Sequence, residues 1–208
     1  MSTPNAQVNK EHYFDEKYNH KARWMSFFYQ IKTLQKTGAQ TVLEIGPGNG
    51  RVTTILREGG IKVTTVDIDK ELKPDYVASV DELPFKDSTF DAVCAFEVLE
   101  HMPFECFASN LKELSRVSKK YVMISLPDKR RILLHVLLKI PFINYINIFI
   151  RIPLFKKHVF DGQHYWEIGK KGYSVARVKE AIGESRLKIV DSFVHFDAPS
   201  NHYFILEK

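Results

Sequence analysis

Apolar residues along this chain fall into short runs separated by polar stretches with a different period. The segments "TVLEI" (41–45), "KVTTVD" (62–67), "YVAS" (76–79), "FDAVCAF" (90–96) and "YVMISLP" (121–127) are compact, rich in β-branched or aromatic residues and bounded by turn formers. They predict five strands. Between them, "RVTTILRE" reads as a helix, and Phe107, Leu111, Leu114 and Val117 recur at helical spacing. Strand–helix alternation of this kind predicts an α/β fold, a doubly wound parallel sheet with helices on both faces. The chain ends differently. "LKIVDSFVHF" and "HYFILEK", joined by "DAPSN", predict an antiparallel hairpin, and residues 10–37, rich in aromatics and lysine, predict an N-terminal helix. No repeat or linker interrupts the pattern, so residues 1–208 read as one domain.

One segment breaks the alternation. Residues 128–160 include "ILLHVLLKIPFINYINIFIRIP", strongly apolar with basic flanks and interrupted by Lys139 and Pro141. A membrane-spanning helix needs about twenty predominantly apolar residues without such breaks. The readings left are a lid over the substrate end of the sheet, a surface lying on a membrane, or an oligomer contact.

Composition adds little: 208 residues, 44% hydrophobic and 26% charged, suit one globular domain. The net charge of +5 is spread over short pairs and one triplet, so no basic arm favours nucleic acid. Two cysteines make no disulfide framework, and the first residues hold no apolar signal segment. A cytoplasmic protein is the expectation.

The first strand runs into "VLEIGPGNG", with glycines at 46, 48 and 50. Glycines here let the backbone approach a ligand and turn tightly into a helix whose N-terminus faces the bound group. Asp67 ends the second strand, where an acid can accept from both hydroxyls of a ribose. Glu44, just ahead of the turn, suits a cationic ligand better than a pyrophosphate. That favours S-adenosylmethionine over a nicotinamide dinucleotide.

"VLEIGPGNG", "VDID", "ELPFKDSTFDAV" and "EVLEH" together resemble the successive motifs of class I S-adenosylmethionine-dependent methyltransferases of the small "type 11" kind, in order from about residue 41 to 127. The resemblance implies a Rossmann-like seven-stranded sheet whose last strand is antiparallel. It implies that Gly46, Gly48 and Gly50 wrap the methionine end of the cofactor, with Glu44 nearby. Asp67 would hold the ribose, Ile68 would pack on the adenine, and the backbone at Phe96 would receive the methionine amine. The family often carries an aspartate four residues before the Leu of "LPF". Here that position is Ser79, so Ser79, Val80 and Asp81 are the candidates for the adenine edge.

"FEVLEH" places Glu97, Glu100 and His101 where the fourth strand gives way to the next element. On a helix they would stand at i, i+3 and i+4 and share one face. The cluster suits a supporting network beside the cofactor, an acid–base site or part of a metal site. "DGQHYWEIG" adds His164. The "ExxEH" pattern with a later histidine beside an aromatic resembles the ubiquinone-pathway O-methyltransferases and the small-RNA 3′-terminal 2′-O-methyltransferases. That resemblance implies a divalent cation, Mg²⁺ or Mn²⁺, held by Glu97, Glu100, His101 and His164, with adjacent substrate hydroxyls completing its shell. Without a metal, His101 or His164 would serve as general base. His195, Asp197 and His202 read as a solvated loop, and Tyr13, Phe14, Tyr18 and Trp24 as packing for the cofactor pocket.

The sequence therefore leads to a methyltransferase acting on a hydroxyl of a small molecule or glycan. The "HYWEIG" tail resembles that of compact family members of surface-polysaccharide or secondary metabolism, and this resemblance implies a sugar vicinal diol as the preferred acceptor. The apolar, basic insert agrees with peripheral membrane contact at the inner face or a lipid-linked substrate. The rivals are an RNA ribose 2′-O-methyltransferase, a non-catalytic cofactor-binding subunit and a nicotinamide-dependent oxidoreductase.

Overall fold

The computed structural model describes residues 9–142 and 145–208. Seven strands form one sheet in the order β3-β2-β1-β4-β5-β9-β8: β1 Thr41–Ile45, β2 Lys62–Asp67, β3 Tyr76–Val77, β4 Phe90–Phe96, β5 Ser118–Pro127, β8 Lys188–His195 and β9 Ala198–Glu207. β9 is antiparallel to both of its neighbours, and the other pairings are parallel. Two further strands, β6 Arg131–Leu138 and β7 Ile146–Ile152, pair only with each other.

The sheet has a core on each face because alternate residues of a strand point to opposite sides. Val42, Ala92, Cys94 and Met123 pack under α1 Lys21–Lys36 and α2 Arg51–Glu58, through Phe27, Leu34, Val52 and Leu56. Leu43, Ile45, Val93, Ala95, Val122 and Ile124 face the other way. They meet α3 Phe107–Val117 and α4 Val175–Glu184 through Leu111, Leu114, Val178 and Ile182. Central strands buried on both faces are what the continuous apolar runs of β1 and β4 require.

Several expected boundaries move. The helix expected over 10–37 is a 3₁₀ turn, Lys10–Phe14, followed by α1 from Lys21. Asp15 and Asn19 divide it: Asp15 accepts from the Lys17 amide, and the Asn19 amide group donates to the Tyr13 and Asp15 carbonyls. Such side-chain bonds compete with helix formation. β3 is two residues long, and β5 begins three residues earlier than expected. The final turn narrows to Phe196–Asp197, because Ala198–Asn201, expected as loop, already belongs to β9.

"EVLEH" is not a helix. Glu97 takes φ 57°, and Leu99–His101 form a single 3₁₀ turn. The i, i+3, i+4 geometry therefore does not arise. The expected solvated loop is corrected as well. His202 is buried on β9, with Nδ1 3.2 Å from Asp128 and Nε2 2.9 Å from the Ser192 hydroxyl. His195 stacks on Tyr29, whose hydroxyl donates to Asp197.

No helix among the described residues is long and apolar enough to cross a membrane.

Candidate active site

Strands β1, β2 and β4 end together at their carboxyl edge, where open α/β sheets bind ligands. A cavity of ≈ 240 Å³ opens there. One wall is the glycine turn. Gly46 and Gly48 line the cavity at φ 67° and 56°. A Cβ on Gly46 would lie 2.6 Å from Val98 Cγ2, and one on Gly48 would lie 3.2 Å from the Tyr13 ring. The turn is thus a cradle that side chains would fill. Gly50 does not line the cavity. It is the left-handed N-cap that turns the chain into α2, at φ 69°.

Asp67 and Ile68 line the next wall, and Asp67 Oδ1 accepts from the Asp69 amide at 2.9 Å. Burial pushes the Asp67 carboxyl above its ordinary pKa, only partly offset by that bond. Ala78, Ser79 and Val80 follow. Asp81 is exposed and outside the lining, because the chain turns at Ser79, whose carbonyl accepts from the Glu82 amide. Phe96 closes the floor.

Glu44 also lines the cavity and is 4% exposed, accepting from the Thr53 hydroxyl of α2. Burial raises its pKa to about 7 against the opposing pull of Thr53 and Arg57. The folded chain thus holds a proton that the unfolded chain releases between about 4.5 and about 7. Its contribution to stability is complete below the unfolded value and is lost as pH rises through the folded one. Denaturant titrations should show wild-type stability declining relative to Glu44→Gln by up to about 3 kcal/mol between about pH 5 and 8. Parallel curves would contradict this assignment.

The far wall holds the ionisable cluster. The carboxylate of Glu100 and ring nitrogens of His101 and His164 all lie within 4.8 Å of one another. Glu100 is fully buried, and neither of its oxygens has a hydrogen-bond partner among the described residues. Burial, then repulsion from Glu97, pushes its pKa well up. His101 is held low, at about 4, by burial and then by the charge of His164. Its Nδ1 lies 3.1 Å from the Gln163 carbonyl, and its ring stands edge-on to that of His164 at 5.1 Å.

Of the four expected ligands, Glu97 is not in this group. With its backbone in the left-handed region at the end of β4, its side chain turns toward β5, accepting from the Ser125 hydroxyl at 3.0 Å. It still lines the cavity.

Two contributors were absent from the sequence reading. Arg23, at the start of α1, enters the cavity over the Tyr18 ring at 4.6 Å and lowers the pKa of Glu97 against its burial. Glu167 is buried, and its Oε1 lies 3.0 Å from His164 Nδ1. Burial alone would raise the Glu167 pKa, but the His164 bond and the Lys129 charge bring it below the ordinary value. An Nδ1–H donated to this carboxylate fixes the His164 tautomer and leaves Nε2 as an acceptor. The spacing His-x-x-Glu in "HYWE" was the available signal. Of the neighbouring aromatics, Trp166 is core, with its indole N–H on the Met102 carbonyl, whereas Tyr165 is 41% exposed.

Residues 43–124 match the family model described as a methyltransferase domain. No curated protein matches the sequence. Solved structures share the fold at low identity. One is the 1,6-didemethyltoxoflavin-N1-methyltransferase of Burkholderia thailandensis with bound 1,6-didemethyltoxoflavin and S-adenosylhomocysteine (TM-score 0.63, 16% identity, covering 95% of this chain and 84% of that one). Another is the magnesium protoporphyrin IX methyltransferase of Synechocystis PCC 6803 with bound S-adenosylhomocysteine (TM-score 0.62, 13% identity, 99% and 90%). A third is an S-adenosylmethionine-dependent methyltransferase of Archaeoglobus fulgidus (TM-score 0.61, 15% identity, 96% and 100%). The match over residues 43–124 is to a methyltransferase domain, and the doubly wound sheet with its antiparallel strand is the fold that these methyltransferase structures share.

Proposed function

We propose that this protein methylates a hydroxyl of a small-molecule or glycan acceptor, with a sugar bearing vicinal hydroxyls as the preferred substrate. The observation that carries this reading is the His164–Glu167 pair. It aims an imidazole acceptor into the same cavity that Gly46, Gly48 and Asp67 line.

The glycine turn and Asp67 fit a nucleoside amino acid by shape and by hydrogen bonding. The open backbone at Gly46 and Gly48 receives the amino-acid end, and the Asp67 carboxylate accepts from the ribose hydroxyls. In this reading the nucleoside is S-adenosylmethionine, which when bound supplies an electrophilic methyl group on a sulfonium. The protein's part is to hold the acceptor hydroxyl in line with that methyl at near-attack distance. His164 Nε2 takes the hydroxyl proton, and Glu167 stabilises the resulting imidazolium through Nδ1–H. Tyr13 and Tyr18 cover the cavity and limit water.

Glu100, His101 and His164 also fit a divalent cation, since a buried carboxylate with two unpartnered oxygens beside two imidazoles is a donor set short of a charge. These three residues would hold it, with His164 as ligand instead of base. The ion would lower the pKa of a ligated hydroxyl and orient a diol. Mn²⁺ titration followed by electron paramagnetic resonance should show binding weakened about tenfold or more in Glu100→Gln. Equal affinity, or no Mn²⁺ binding by either protein, would remove the metal from this account. The reaction itself is tested by transfer of labelled methyl to a panel of vicinal-diol sugars. Labelling of a nitrogen acceptor alone would refute the hydroxyl assignment.

A further inference from the structure

The β6–β7 hairpin exposes many large apolar side chains, Leu133, Leu134, Leu137, Leu138, Ile146 and Ile148 among them. Its register puts Leu134 opposite Ile150, Val136 opposite Ile148 and Leu138 opposite Ile146. Alternate pairs share a face, so these six aliphatic side chains form one continuous face without a polar atom. Five of them are 39–48% exposed. The opposite face carries His135, whose ring packs on Phe149 and on Phe196 of the body. The aliphatic face therefore points away from the domain. Toward the tip, Phe142 is fully exposed and Tyr145 is 64% exposed under the Lys139 ammonium at 4.7 Å. No residue of either strand lines the cavity.

Charge decides what covers this face. Residues 129–160 hold seven basic side chains and no carboxylate. Lys129 pairs with Glu167, and Arg130 and Arg151 pair with Asp128, while Arg131, Lys156 and Lys157 stand exposed at or just after the base of the hairpin. A second copy seated on this face would bring like charges together. An anionic lipid surface complements them, and aromatic rings with cations beside an aliphatic face suit the headgroup–acyl boundary. A two-stranded hairpin has open backbone edges, so it lies in the interface and does not span the bilayer.

We propose that the β6–β7 hairpin docks this protein on an anionic membrane surface, with its aliphatic face and Phe142 in the headgroup–acyl boundary and Arg131, Lys156 and Lys157 on lipid phosphates. The hairpin follows directly from β5, at the sheet edge that carries the cavity. Docking there sets the cavity mouth beside the membrane.

The test is flotation of the full chain with vesicles, which requires no methyl transfer and so stands apart from the catalytic reading. On vesicles of about three parts phosphatidylcholine to one part phosphatidylglycerol, the bound fraction should exceed that on pure phosphatidylcholine by about fivefold or more. It should fall as salt rises from about 0.05 to 0.5 M. The double variant Leu134→Asp/Ile148→Asp should lower partition at least about tenfold. Arg131→Glu/Lys156→Glu/Lys157→Glu should abolish the preference for anionic lipid. S-adenosylhomocysteine binding by each variant serves as the control for folding. Absence of vesicle binding by the wild type, or binding indifferent to these variants, would overturn the proposal. A hairpin-dependent dimer by light scattering that does not float would overturn it in favour of a second copy.

Discussion

Replacing Asp67 with alanine is expected to weaken S-adenosylhomocysteine binding by about ten- to a hundredfold, because a charged acceptor facing hydroxyl donors contributes about 1.5–3 kcal/mol. The carboxylate stands at the end of β2 in the cavity wall, with Oδ1 engaged by the Asp69 amide. Asp67→Asn keeps the shape and loses the charge, so its loss should be smaller. Calorimetry measures both, and a thermal melt separates the binding loss from the lost turn contact. Unchanged affinity in Asp67→Ala would remove the ribose from this position.

The second large effect is expected at His164. With a responsive acceptor, His164→Ala should lower turnover by about 10²–10⁴, the usual share of a positioned base, while S-adenosylhomocysteine affinity stays within about twofold. Glu167→Gln should lower turnover less, since it only mis-sets the imidazole tautomer, and should leave KM nearly unchanged. A variant at 164 that loses cofactor affinity and turnover together would assign the residue to binding.

What could be read in advance follows from how local each feature is. The glycine turn and Asp67 were legible because backbone approach and a strand-end acid impose residue types at short spacing. The two-faced core was legible because β1, β4 and β5 are apolar on both sides. The β6–β7 hairpin was not, because "ILLHVLL" and "INIFIRI" are apolar at nearly every position and show no period that separates strand from helix. Glu97 misled for a different reason. Its spacing to Glu100 and His101 is helical, but the chain leaves β4 through a left-handed residue that sends the side chain to Ser125. Arg23 and Glu167 reach the site only through tertiary packing. Arg23 is otherwise one more basic residue on an N-terminal helix, and Glu167 needs His164 beside it to mean anything.

The account depends most on the cavity at the ends of β1, β2 and β4 being a sulfonium-nucleoside site. Equilibrium dialysis of the purified chain against labelled S-adenosylmethionine, competed with S-adenosylhomocysteine and separately with NAD, tests this directly. Saturable binding at one site per chain, displaced by S-adenosylhomocysteine and untouched by NAD, is the predicted result. Retention of neither sulfur compound by a folded protein would contradict it.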